Sequence, residues 1–168
     1  MLIEEVHSIG VIVDKRKAQS PWIDHLWVPS AVVPGVPDAA PMTLVGRDGT
    51  DERYFVGSTH LVFASSETAN YRDNLLSGAP KLWVVLRLDE ATDEISLLTV
   101  TADPTEGEGS TQAGSNIVDT VPMPAELAAT LAAFVDRHHV EREFYKRKRD
   151  KTDPNKQGFR GPRTEGGF

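Results

Sequence analysis

The residues of this 168-residue chain whose types could do chemistry are five histidines, three tryptophans and a dense basic run near the C-terminus. His138 and His139 are adjacent, so on a helix they point about 100° apart and do not converge on one ion. A metal site would need His139 with Asp136 or Glu143 plus ligands from elsewhere, and the chain has no HExxH pattern. The competing reading is structural: His138 completes an apolar helix face and His139 partners a carboxylate. His7, His25 and His60 stand alone and read as structural or solvent-facing. Trp22 and Trp27 lie between Pro21 and Pro29, which could display them on a groove. There a buried Arg87 would face an anionic ligand, as guanidinium groups do. Trp22, Trp27, Arg87, His138 and His139 are therefore the candidate ligand-binding set. The plainer reading makes Trp22, Trp27 and Trp83 the core and rim of a small sheet.

Charge singles out a second set. Residues 1–136 hold 8 Lys+Arg against 20 Asp+Glu, a net of −12, whereas residues 137–168 hold 10 against 5, a net of +5. An acidic body with a basic end leaves one segment able to attract an acidic partner. Phe144, Tyr145, Lys146, Arg147, Lys148 and Arg149 are the candidate partner-binding residues, the aromatics packing and the cations steering. The alternative is a solvated helix end whose cations complement the negative end of the helix dipole. A nucleic-acid interface is opposed by the field of the acidic body.

Several function classes are excluded or unsupported. With no cysteine there is no disulfide framework, thiolate zinc site or Cys nucleophile. No serine sits in a GxSxG elbow. The Gly-rich stretch Thr105 to Asn116 lacks the Gly-Lys-Ser/Thr ending of a phosphate loop, and Glu106 and Glu108 would repel phosphate. No catalytic residue and no metal site is nominated, and the residues name no cofactor. The start, MLIEEVHSIGVIV, has Glu4 and Glu5 where an export signal would be basic, and no apolar run is long enough for a membrane span. The expectation is a cytoplasmic protein with no membrane partner.

These residues need a scaffold to position them. Leu82-Trp83-Val84-Val85-Leu86-Arg87-Leu88 has six apolar residues of seven and predicts a strand buried on both faces. His7 to Val13 predicts a first strand, with Asp14 to Lys17 turning the chain. Trp22 to Val28 predicts an edge strand continued by Ala31 to Val33, followed by an exposed Pro-rich connection. Met42 to Val45 and Arg53 to Ala64 should form a hairpin through Gly46 to Gly49, with Phe55, Thr59, Leu61 and Phe63 on one face and a bend at Gly57-Ser58. Ser66 is placed to cap a short helix that turns Tyr71, Asn74 and Leu75 inward and ends at Gly78. Asp89 to Glu94 reads as the turn of a hairpin joining the central strand to Ile95–Thr101. Thr105 to Asn116 reads as a mobile loop. From Pro124 a helix with Leu127, Leu131, Phe134, Val135 and His138 on one face is expected, continuing to Arg149. The predicted fold class is α+β: a bent, mostly antiparallel sheet or partly open barrel of about six strands, packed by that long helix and one short one. One domain, residues 1–151, is followed by a disordered basic tail, residues 152–168.

Six segments together carry a family resemblance: Ser20-Pro21-Trp22, Trp27-Val28-Pro29, Val33-Pro34-Gly35, Tyr71 to Leu75, Trp83 to Arg87, and Phe134 to Val140 through Phe144 to Arg149. The chain resembles a small bacterial family of unknown function found beside genes for molybdenum-dependent formate dehydrogenases. The resemblance covers nearly the whole chain to Arg149. It implies an accessory role in maturing or regulating that enzyme, with one of its subunits or a maturation factor as partner. Members of that family sometimes carry the label of a molybdenum-cofactor guanylyltransferase. This chain lacks the early LAGG loop with its following Arg and Lys, so that activity is not carried over. The reading is a non-catalytic accessory protein, the alternative a small-ligand or molybdenum-cofactor binding module.

Overall fold

The computed structural model of the protein describes residues 1–112 and 114–140. Its elements are β1 (Glu4–Lys17), β2 (His25–Pro34), β3 (Thr43–Asp48), β4 (Asp51–Ala64), a 3₁₀ turn at Ser65–Glu67, α1 (Thr68–Leu76), β5 (Lys81–Asp89) and β6 (Glu94–Thr101). They continue with α2 (Pro104–Gly109), a second 3₁₀ turn at Ser110–Gln112, β7 (Asn116–Pro122) and α3 (Ala125–His138). One sheet has the order β2-β1-β4-β3 and the other β6-β5-β7, with every pairing antiparallel. The expected single sheet or barrel of about six strands is corrected, among the described residues, to seven strands in two sheets with no closed barrel.

A buried core lies between the sheets and under α1 and α3. Ile9, Val11 and Val13 of β1, Leu61 and Phe63 of β4, Leu82, Val84 and Leu86 of β5, and Leu131 and Phe134 of α3 are all fully enclosed in it. Alternation along β1 puts its odd-numbered residues inward, as a strand with one packed face requires. β5 is buried on both faces, as its apolar run predicts. Leu82, Val84 and Leu86 join the core, while Trp83 and Val85 are buried outside it. The cover over Trp83 is α2. A Cβ on Gly107 would lie only 2.1 Å from the Trp83 Cγ, so only glycine lets the helix backbone lie against the indole.

That helix and the 3₁₀ turn after it occupy Thr105 to Gln112, the first part of the stretch expected to be a loop. Asp103 caps the helix by accepting a hydrogen bond from the Thr105 N–H at 2.9 Å, and Pro104 follows at its first turn. The sequence Asp-Pro-Thr-Glu is a start signal that the glycine content outweighed. A second correction concerns β4. Val11 pairs with Gly57 but Ile12 pairs with Phe55, so Val56 is an extra residue, and Gly57 adopts φ +144 at the bulge. The bulge reverses the alternation: Val56 enters the core, and Phe55 turns away from the face of Leu61 and Phe63 to lie beside Gly10 and Pro37. The Pro-rich connection therefore covers part of the sheet rather than standing free. Asp14 to Lys17 does not turn the chain; it extends β1, in register with Trp27, Leu26 and His25 of β2.

α1 is held by buried polar groups. Asn74 donates to the carbonyls of Lys81 and Ala102 at 2.8 and 2.9 Å and accepts from the Lys81 N–H at 3.1 Å, joining α1 to β5 and to the chain after β6. Ser66 makes no cap; its hydroxyl donates to Glu67 instead. α3 begins at Ala125 with Pro124 as its N-cap and stops at His138, where His139 is extended at φ −74, ψ 116. The expected helix to Arg149 is thus corrected to one that ends at His138. Residues 141–151 of the expected domain and the tail 152–168 lie outside the described residues.

Truncating Phe134 to Ala should lower the unfolding free energy by about 3–5 kcal/mol, a cost set by its complete burial among aromatic neighbours. Gly107→Ala should cost about 1–3 kcal/mol because the new methyl must push α2 off Trp83. Urea titrations of both variants check these values.

Candidate functional site

At the C-terminal end of α3 a polar and aromatic corner is built from four elements, α3, α1, β4 and β1. Phe134 packs on Phe63 of β4 and on Tyr71 of α1, with ring centroids 5.9 and 6.4 Å apart. His138 lies on the Phe134 ring at 4.6 Å, so it does complete the apolar face. Among the described residues His139 pairs with no carboxylate. Its Nδ1 hydrogen-bonds the Thr68 hydroxyl at 3.0 Å, and Thr68 is itself buried. Arg137 donates to Glu5 of β1 at 2.9 Å, and the His7 Nε2 lies 2.9 Å from the other oxygen of the same carboxylate. The His7 ring also rests on Phe63 at 5.1 Å.

Magnitudes decide which of these contacts holds the corner. Arg137 is more than half exposed, so its pair with Glu5 contributes roughly 0–1 kcal/mol. Aromatic burial does the larger share. Tyr71 is nearly enclosed, its hydroxyl accepts the Ala64 N–H at 3.0 Å, and burial pushes its phenol above the usual range. The Glu5 carboxylate thus lies between the Arg137 guanidinium and the His7 ring. Together they can orient and fix a charged group. Among the described residues no group of three or more His, Asp and Glu could hold a metal ion. What the corner does is fix the direction in which the chain leaves α3.

A second polar region lies at the opposite end of β1. Following the strand from Glu5 to Lys17 at about 3.3 Å per residue gives a separation on the order of 40 Å. There the β1–β2 and β3–β4 hairpins end side by side, tied by the Lys17 N–H donating to Asp51 at 3.1 Å. A cleft of about 400 Å³ between them is lined by Asp14, Arg16, Gly46, Arg47, Asp48, Asp51, Glu52 and Arg53. Asp14 is buried at its base and accepts from the Arg53 Nε at 2.9 Å and the Arg16 Nη2 at 3.5 Å. Burial alone would raise the Asp14 carboxyl. Its bonds to Arg53, Ser30 and Arg16 outweigh that and hold it below the usual carboxylate range.

The candidate ligand set is not brought together. Trp22 stands 90% exposed at the β1–β2 tip. Trp27 is half-buried on β2, edge-on to His25 and Tyr54, with the Lys15 ammonium 5.3 Å over its ring. His25 is not isolated, because its Nε2 pairs with Asp93 in the β5–β6 turn. Arg87 belongs to the other sheet, in register with Ser96 and Asn116, and is exposed; the expected buried arginine is thereby corrected. His138 and His139 sit at the far corner. Phe144, Tyr145, Lys146, Arg147, Lys148 and Arg149 lie outside the described residues. Sequence reasoning missed Glu5, His7 and Thr68 at the corner and Arg16, Arg47 and Arg53 at the cleft. Each is separated in sequence from the partners it meets, although the two hairpin tips were a signal that Arg16 and Arg53 could share one end.

Removing the corner ion pair by Glu5→Gln should change stability by less than about 1 kcal/mol in urea titration. Asp14 behaves differently. A carboxyl lowered by folding stabilises the protein above its unfolded pKa, and that contribution is lost as pH falls through the folded value. Asp14→Asn should therefore be destabilising at pH 7, and the gap between variant and parent should close below about pH 4, read from melting temperatures across that range.

No helix among the described residues is long and apolar enough to cross a membrane. No curated protein and no solved structure matches the chain significantly. A family match does extend over most of its length: with residues 8–148 aligned, the chain belongs to the family described as protein of unknown function, DUF3305.

Proposed function

We propose that this protein is a non-catalytic accessory factor that docks an acidic surface of a molybdenum-dependent formate dehydrogenase, or of a factor that matures it, through Phe144 to Arg149. The observation that carries this reading is the charge polarity of the chain: −12 over residues 1–136 against +5 over residues 137–168. Such a division steers one segment toward negative charge and keeps the rest of the surface from sticking to it. The enzyme class comes from the resemblance set out above, whose segments include the basic run itself.

Three further features fit this reading. The last turn of α3 is anchored on Phe63, Tyr71 and Thr68, so the chain beyond Val140 starts from a fixed place on the body. A fixed origin reduces the entropy lost when the following residues dock. The family match also runs through Lys148 and so takes in Phe144 to Lys148. The Arg137–Glu5 pair leaves Arg137 more than half exposed, at the start of the basic segment.

The test is a pull-down of purified formate dehydrogenase subunits with the full chain. Replacing Lys146, Arg147, Lys148 and Arg149 together by Glu should abolish capture, and raising salt should weaken capture by the parent protein. Equal capture by the parent and the charge-reversed variant contradicts the proposal.

A further inference from the structure

We infer that the cleft between the β1–β2 and β3–β4 hairpin ends binds a small multivalent oxyanion of the phosphate ester or pyrophosphate class. The argument rests on layering. The cleft holds three guanidinium groups and four carboxylates, which by simple count favours neither sign. Their depths differ. The side chains of Arg16, Arg47 and Arg53 are 50%, 69% and 55% exposed, whereas those of Asp14 and Glu52 are 12% and 31% exposed. A molecule entering from solvent meets the three arginines and Asp48, with Asp14 and Glu52 lying deeper.

The carboxylates beneath are also occupied. Asp14 takes the Arg53 Nε and an Arg16 Nη2. Asp51 takes the Lys17 N–H, and Glu52 takes the Tyr54 hydroxyl at 3.1 Å. Glu52 lies 3.8 Å from the Arg47 Nη2, beyond hydrogen-bond reach, and Asp48 is the exposed carboxylate of the rim. One carboxylate cannot saturate two guanidinium groups, each with five N–H donors. With its Nε held by Asp14, Arg53 keeps the two Nη groups that make forked bonds to an oxyanion. Asp14 thus acts as a positioning residue that aims two arginines, and Arg47 is the third donor from the opposite strand. The cleft volume of about 400 Å³ suits a small metabolite rather than a lone ion. This site is independent of the docking proposal, since it lies at the other end of β1.

The probe is inorganic pyrophosphate, titrated calorimetrically into the full chain at matched ionic strength, with citrate in a parallel arm. Saturable one-site binding is expected, with citrate the weaker ligand. Arg47→Gln removes a donor without touching Asp14 and should weaken pyrophosphate binding by about tenfold. Arg16→Gln should weaken it similarly. Neutralising Lys146 to Arg149 with Gln should leave the affinity within a factor of two or so of the parent. Absence of saturable binding overturns the inference, as does binding lost with the 146–149 variant while Arg47→Gln binds like the parent. Citrate binding more tightly than pyrophosphate overturns the phosphate assignment.

Discussion

The contact among Phe63, Tyr71 and Phe134 is the constraint on which the rest of the structure depends. It joins a strand of the first sheet to the short helix α1 and the terminal helix α3 through ring pairs between 5.9 and 6.4 Å apart. Phe63 and Phe134 are wholly enclosed, and each buried aromatic contributes on the order of 2–3 kcal/mol from burial alone. Remove that contact and α3 has little else of comparable size at its far end. The ion pair between Arg137 and Glu5 is too exposed to substitute for it.

From this constraint follows a molecule with two poles. At one, α3 ends against β1 and α1, and the chain departs from a defined point near Glu5, His7 and Thr68. At the other, two hairpin ends meet around the buried Asp14 and its arginines. β1 runs between them as a single long strand, bent where the Gly57 bulge of β4 interrupts its pairing. The poles differ in kind. One is an aromatic corner at which α3 ends; the other is a recess lined by arginines and carboxylates, where short-range, directional hydrogen bonds can select by shape.

Much of this was legible in the residues and some was not, for identifiable reasons. The apolar run from Leu82 to Leu86 declared a strand buried on both faces, and the turn residues at Gly49 announced the β3–β4 hairpin. The inward face of α1, Tyr71 and Asn74, was readable from helical spacing. What misled was local composition overruled by tertiary packing. Glycine at 107 read as flexibility, yet it is there because Trp83 leaves no room for a side chain. Phe55 read as a neighbour of Leu61 because strict alternation was assumed, and a single inserted residue moved it to the other face. The candidate ligand set joined Trp22, Arg87 and His139 by chemistry alone. Topology, which is invisible in one sequence, leaves Trp22 in the β1–β2 connection, Arg87 on β5 and His139 just past α3.

Backbone hydrogen exchange of the full chain, with and without purified formate dehydrogenase, tests the central claim most directly, because it reads the basic segment and the folded body in one experiment. The account predicts slowed exchange within residues 144–149 and in the last turn of α3 when the enzyme is present, with the hairpin ends of β1 and β3 unaffected. Protection confined to the sheets, or exchange in residues 144–149 unchanged by the enzyme at saturating concentration, would contradict it.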